Sequence, residues 1–161
     1  MNAKLSLMFS PNLSQSSDTT GETRKRFSGI AYSGGVIPNY GSFGDVAIDL
    51  STLKIPNKRL FSLVNHDSDQ RAGSLEAKVE NGALMIDGTF FSSDSGRQVS
   101  TEFGDGAPWE LSVGISGKPE KFNSPKTLEL NGQSLTVNAI YRNARLLEVS
   151  FVPAGADPST E

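Results

Sequence analysis

The feature that most constrains this fold is a repeated punctuation. Short apolar runs, alternating with polar residues, are closed again and again by Gly, Asn, Pro or Asp. Twice the closing pair is Asn-Gly, at Asn81-Gly82 and at Asn131-Gly132. Both pairs sit between alternating stretches, the strongest short-range signal for a two-residue hairpin. The first joins residues 73–79 to 83–91, and the second forms the tip of a hairpin over 128–137. Residues 27–32, 46–50, 60–65, 109–115 and 146–152 read as further strands, the last ended by Pro153. In 109–115 the residues Leu111, Val113 and Ile115 share one face, and Glu110, Ser112 and Gly114 the other. In 146–152 the alternation turns Leu147, Val149 and Phe151 inward, with Leu146, Glu148, Ser150 and Val152 opposite. One short helix fits across residues 96–103, with Asp94 as N-cap and Gly104, Asp105 and Gly106 as its stop. About eight strands with one or two helices predict a β-rich α+β chain, closed or nearly closed into an antiparallel barrel.

A chain of 161 residues is long enough for one domain with its own core. Residues 10–23 carry hydroxyls and amides around a single large apolar side chain, too little burial to offset the entropy of ordering them. Residues 1–23 therefore read as a flexible or partly ordered lead, and 24–161 as the domain. No run is long and apolar enough for a membrane span, and the N-terminal apolar stretch is too short for a signal peptide. The expected setting is intracellular. A net charge of −3, with Arg24, Lys25 and Arg26 as the sole basic cluster, offers a phosphate backbone little to bind. Neither nucleic acid nor a membrane is an expected partner.

The chain has no cysteine and one histidine, which excludes disulfides, thiol nucleophiles and iron–sulfur clusters and leaves too few ligands for zinc. No metal and no cofactor is expected. Any imidazole chemistry falls to His66, which leaves an apolar strand and enters the polar turn Asp67, Ser68, Asp69. That is a good position for a general base, and equally for an ordinary surface histidine. Asp67 and Asp69 lack the glycine and distal glutamate of a calcium loop. Ser112 lies on the polar face of its strand beside Gly114, where its hydroxyl either faces a groove or is merely solvated. Glu148 and Ser150 share the polar parity of the last strand, so Glu148 reaches an imidazole if that strand neighbours the Ser112 strand. A Ser, His and carboxylate set is then geometrically conceivable, with the chemistry of acyl transfer. The segment from Gly114 to Pro119 is no phosphate loop, and there is neither a dinucleotide fingerprint nor a Gly-x-Ser-x-Gly elbow.

Four ordered blocks nevertheless resemble one family. They are Arg26, Phe27, Ser28, Gly29, Ile30, Ala31, Tyr32, Ser33, Gly34, Gly35; then Leu63, Val64, Asn65, His66, Asp67 with Ala72, Gly73; then Trp109, Glu110, Leu111, Ser112, Val113, Gly114; and last Leu146, Leu147, Glu148, Val149, Ser150, Phe151, Val152, Pro153 with Gly155, Ala156, Asp157. Together they resemble the tailed-phage prohead proteases, related in fold to the herpesvirus assemblins. The resemblance implies a mainly antiparallel barrel of six or seven strands with a few surrounding helices. It also implies a serine endopeptidase that cleaves capsid and scaffold proteins, and itself, inside the procapsid in the host cytoplasm. Carried over by position, His66 is the base, Ser112 the nucleophile and Glu148 the third member. Asp67 is the rival carboxylate and Ser150 the rival nucleophile. Ser112 is preferred because Gly114 on the same face leaves room for substrate. Backbone N–H groups in the turn formed by Pro153, Ala154, Gly155 and Ala156 are the expected oxyanion donors.

Assemblins are dimers, so a homodimer is a further expectation of the resemblance. A C-terminal scaffold region present in some members would be absent, since the chain ends at Glu161. Two other readings compete. One is a catalytically silent scaffold or structural protein with the same fold. The other is a carbohydrate-binding barrel presenting Trp109.

Overall fold

The computed structural model describes residues 2–9, 12–17 and 23–153, with side chains from Lys25 onward. Its elements run β1 (Asn2–Phe9), β2 (Asn12–Ser17), β3 (Thr23–Tyr32), β4 (Val46–Ile48), β5 (Leu60–Val64), β6 (Asp67–Glu80) and β7 (Ala83–Phe90). They continue with α1 (Asp94–Gly104), β8 (Trp109–Ser116), β9 (Pro119–Leu130), β10 (Gln133–Tyr141) and β11 (Arg145–Pro153). Both Asn-Gly pairs are two-residue turns with every central φ positive: 53° and 74° at Asn81 and Gly82, 54° and 77° at Asn131 and Gly132. This conformation matches the right-handed twist of the strands it joins.

Eight strands form one sheet in the order β1-β8-β11-β5-β6-β7-β3-β2, and β4-β10-β9 form a second. All neighbours pair antiparallel except β11 with β5 and β10 with β4. The large sheet curls into a half-barrel: β3, near one end of the row, approaches β8 and β1 at the other. The outermost strands β1 and β2 are consecutive in the chain. Inside the curl the ring of Phe27 lies 4.8 Å from Phe90 and 5.0 Å from Phe151, the latter edge-on. Leu75, Leu84, Leu111, Val113 and Val149 belong to the same buried apolar interior. A smaller core of Ala47, Leu130, Leu135, Val137 and Ile140 belongs to the second sheet. The Asn131 side chain ties the two parts together. Its amide nitrogen donates to the carbonyls of Gly34 and Ile48 at 2.9 and 2.8 Å, and its oxygen accepts from the Leu50 N–H at 2.9 Å.

Several expectations change. The polar lead is not a loop throughout: β2 pairs along β3 from Asn12 to Ser17, and β1 pairs along β8. Backbone pairing needs no apolar side chains, so the hydroxyls and amides of residues 12–17 do not signal β2. Helix content is lower than the resemblance implies, with α1 the one α-helix among the described residues, beside two 3₁₀ turns. The α1 N-cap is Ser93, whose Oγ accepts from the Gly96 N–H, so Asp94 lies in the first turn instead. In β11 the inward set is Leu146, Val149 and Phe151, and Leu147 is exposed. The register explains the switch: Leu146 opposes Ile115 and Glu148 opposes Gly114, leaving Leu147 as an extra, bulged residue.

Candidate active site

His66 occupies a third two-residue hairpin turn. Val64 pairs with Asp67, so Asn65 and His66 alone connect β5 to β6, with φ of 53° and 59°. The turn is the same as the two Asn-Gly tips, with histidine where they carry glycine. A residue with a Cβ pays roughly 1 kcal/mol or more for this conformation, and it persists where surrounding structure enforces it. Here β11 does so. The Asn65 N–H donates to the Phe151 carbonyl and the His66 N–H to Ser150 Oγ, each at 3.0 Å.

The turn holds the imidazole over the outer face of the sheet, between β8 and β11. Nε2 lies 2.7 Å from Ser112 Oγ, and Nδ1 lies 2.5 Å from Glu148 Oε1. Ser112 and Ser150 are cross-strand partners on β8 and β11, and both are fully buried. The side chains of His66 and Glu148 are only 10% and 13% exposed. The second Glu148 oxygen accepts from the Ser150 hydroxyl at 2.6 Å. An ionised carboxylate can only accept, so a neutral imidazole bonded to it carries its proton on Nδ1 and turns its Nε2 lone pair toward the Ser112 hydroxyl. That is the tautomer a base needs at Ser112.

Gly114 makes this geometry sterically feasible. It lies directly opposite Glu148, and a Cβ built on it would collide with the Glu148 carboxylate. The space at Gly114 is thus taken by Glu148, which corrects the expectation that it was left for substrate. The bulge at Leu147 serves the same end: it keeps Leu146 and Val149 in the core while Glu148 rises on the outer face.

The sequence places His66, Ser112 and Glu148 in one constellation, and the fold brings these three together. Asp67 is not a partner of the ring; its carboxylate accepts from the Asp69 N–H at 2.9 Å and from the Gln70 amide at 3.1 Å. Ser150 bonds to Glu148 and to the His66 backbone rather than to a ring nitrogen. Trp109 is buried in the core at 9% exposure, which removes the aromatic platform of the carbohydrate-binding reading. Pro153 ends β11, and the rest of the expected oxyanion turn, residues 154–156, lies outside the described residues. What sequence reasoning missed is the left-handed turn under the imidazole. Its signal was present: an Asn-led pair between two strands, as at Asn81 and Asn131.

No known protein family profile matches this sequence, and no curated protein matches it. Among solved structures the chain is similar to the bacteriophage T4 capsid assembly protease gp21, with a TM-score of 0.68 and 10% identity, over 94% of this chain and 96% of that one. At that identity the likeness is one of fold.

Proposed function

We propose that this chain is a serine endopeptidase of phage capsid maturation. The observation that carries the reading is the Ser112, His66 and Glu148 constellation, set in a fold similar to that of a capsid assembly protease. In this mechanism Ser112 Oγ attacks the scissile carbonyl while His66 Nε2 takes its proton, and Glu148 stabilises the imidazolium through Nδ1. Collapse of the tetrahedral intermediate returns that proton to the leaving amine and leaves an acyl-enzyme on Ser112. Water, deprotonated by the same imidazole, then releases the acid product and regenerates the hydroxyl. The residues supply the nucleophile, the base and its orienting carboxylate, so the scheme calls on no cofactor. The substrates are capsid and scaffold proteins and the chain itself, inside the assembling procapsid in the host cytoplasm. A homodimer is part of the same proposal.

One observation favours a second reading. Ser112 is fully buried, so a substrate carbonyl reaches its hydroxyl only after neighbouring chain shifts. A silent structural protein of the procapsid interior has no need of that shift. Intact mass followed over time separates the two, with wild type and Ser112→Ala each incubated with the capsid and scaffold proteins of the same phage. The protease reading expects discrete fragments with wild type, and a loss of roughly 10⁴- to 10⁶-fold in rate for Ser112→Ala with the fold retained. Equal cleavage by both would overturn it, and no cleavage by folded wild type would favour the structural reading.

A further inference from the structure

Ser150 is the hydroxyl of the site that the acyl-transfer steps leave unused. It is fully buried, and its Oγ is a junction of two hydrogen bonds: it accepts from the His66 N–H at 3.0 Å and donates to Glu148 Oε2 at 2.6 Å. Resting on the protease reading above, we infer that Ser150 is a positioning residue. One hydroxyl ties the carboxylate that orients the imidazole to the main chain that carries it.

Among the described residues each bond is the one partner of its group, the His66 N–H in the first and Glu148 Oε2 in the second. Glu148 has three side-chain torsions, and a carboxylate held by Oε1 alone can rotate about the last of them. The Oε2 bond fixes its plane, so that Oε1 stays on Nδ1 at 2.5 Å. His66 is the third residue of a four-residue hairpin turn, and its N–H has no place in the β5–β6 ladder. Buried in the site, that donor needs an acceptor, and Ser150 Oγ supplies it. The same contact holds a histidine at φ 59°, where glycine is the usual occupant. Ser150 therefore acts on both ends of the imidazole, its backbone and its Nδ1 partner, without touching the reacting atoms.

The test uses the full chain and an alkyl fluorophosphonate. Ser112 Oγ displaces fluoride from phosphorus, its proton passes to His66 Nε2, and a stable phosphonyl ester forms. The rate of that reaction measures activation of the nucleophile without a peptide substrate. With one histidine in the chain, ¹⁵N and ¹H signals of the ring report its tautomer and the Nδ1 hydrogen bond with no ambiguity of assignment. Ser150→Ala is expected to slow labelling about 10- to 100-fold and to shift or broaden the Nδ1–H resonance. Ser150→Thr, which keeps the hydroxyl, is expected to restore both.

Wild-type labelling kinetics in folded Ser150→Ala, or an unchanged ring spectrum in that variant, overturns the inference, because a merely structural serine moves stability alone. Should Ser150→Thr fail to fold, Ser150→Ala with its two readouts still decides. Wild type that takes no label at Ser112 contradicts the protease reading instead, and the ring spectra still test the coupling of Ser150 to His66.

Discussion

At Gly114 a missing side chain decides the chemistry. Its Cα faces the Glu148 carboxylate across the β8–β11 ladder, and a methyl group there has nowhere to go without moving that carboxylate. Gly114→Ala is therefore expected to keep the fold and lower fluorophosphonate labelling of Ser112 by about 10²-fold or more, through loss of the ring's orienting partner. Labelling of that variant at the wild-type rate contradicts this role. Much at this scale was legible before the fold was known. A single histidine admits one candidate base, and Ser112 and Glu148 fall on the polar parity of their strands. The role of Ser150 was not legible, because it depends on a backbone N–H that only a left-handed two-residue turn sets free. The role assigned to Gly114 was misread for a related reason: strand parity gives the face of a residue but not its cross-strand partner.

Among the elements, β11 shows what a period-two reading can miss. Leu146 and Leu147 are chemically identical neighbours, and alternation alone turns Leu147 inward. The bulge reverses them, leaving Leu146 fully buried and Leu147 37% exposed. Leu146→Ala is expected to cost about 2–5 kcal/mol of stability and Leu147→Ala well under 1 kcal/mol, as measured by denaturant midpoints. The reverse ranking would mean that the strand runs without its bulge. A one-residue insertion in a ladder leaves no mark in an apolar pattern of adjacent leucines, so the sequence cannot announce it. The hairpin tips are the opposite case. Asn81-Gly82 and Asn131-Gly132 dictate their turns by local backbone chemistry, and both form as read. The N-terminal strands pair along the edges of β8 and β3, a long-range pairing that the hydroxyl- and amide-rich run of β2 does not announce.

For the molecule as a whole, the curled sheet and the smaller one are joined at Tyr32, whose hydroxyl donates to the Gly35 carbonyl and accepts from the Ile48 N–H at 3.1 Å. Burial raises the pKa of this phenol from 10.0 to about 12. Between those values the unfolded chain releases a proton that the folded chain retains, so stability is complete below pH 10 and falls as pH rises toward 12. Burial raises the Tyr141 phenol to about 12 as well. A Tyr32 share on the order of 2 kcal/mol across that window is expected in denaturant titrations, so Tyr32→Phe should reduce the slope and leave the Tyr141 share. A slope in Tyr32→Phe equal to that of wild type would assign the whole effect to Tyr141 or elsewhere. At this scale the β-rich class was readable from punctuation, whereas the curl that brings β3 back toward β8 depends on long-range pairing.

Ser112 as a nucleophile activated by His66 is the premise of the proposed mechanism. Its most direct measurement is intact mass and peptide mapping after exposure to a fluorophosphonate. One phosphonyl adduct is expected, on Ser112, formed by wild type and absent or slowed by orders of magnitude in Ser112→Ala and His66→Ala. A folded wild-type protein that takes no adduct, or takes it equally without His66, would contradict it.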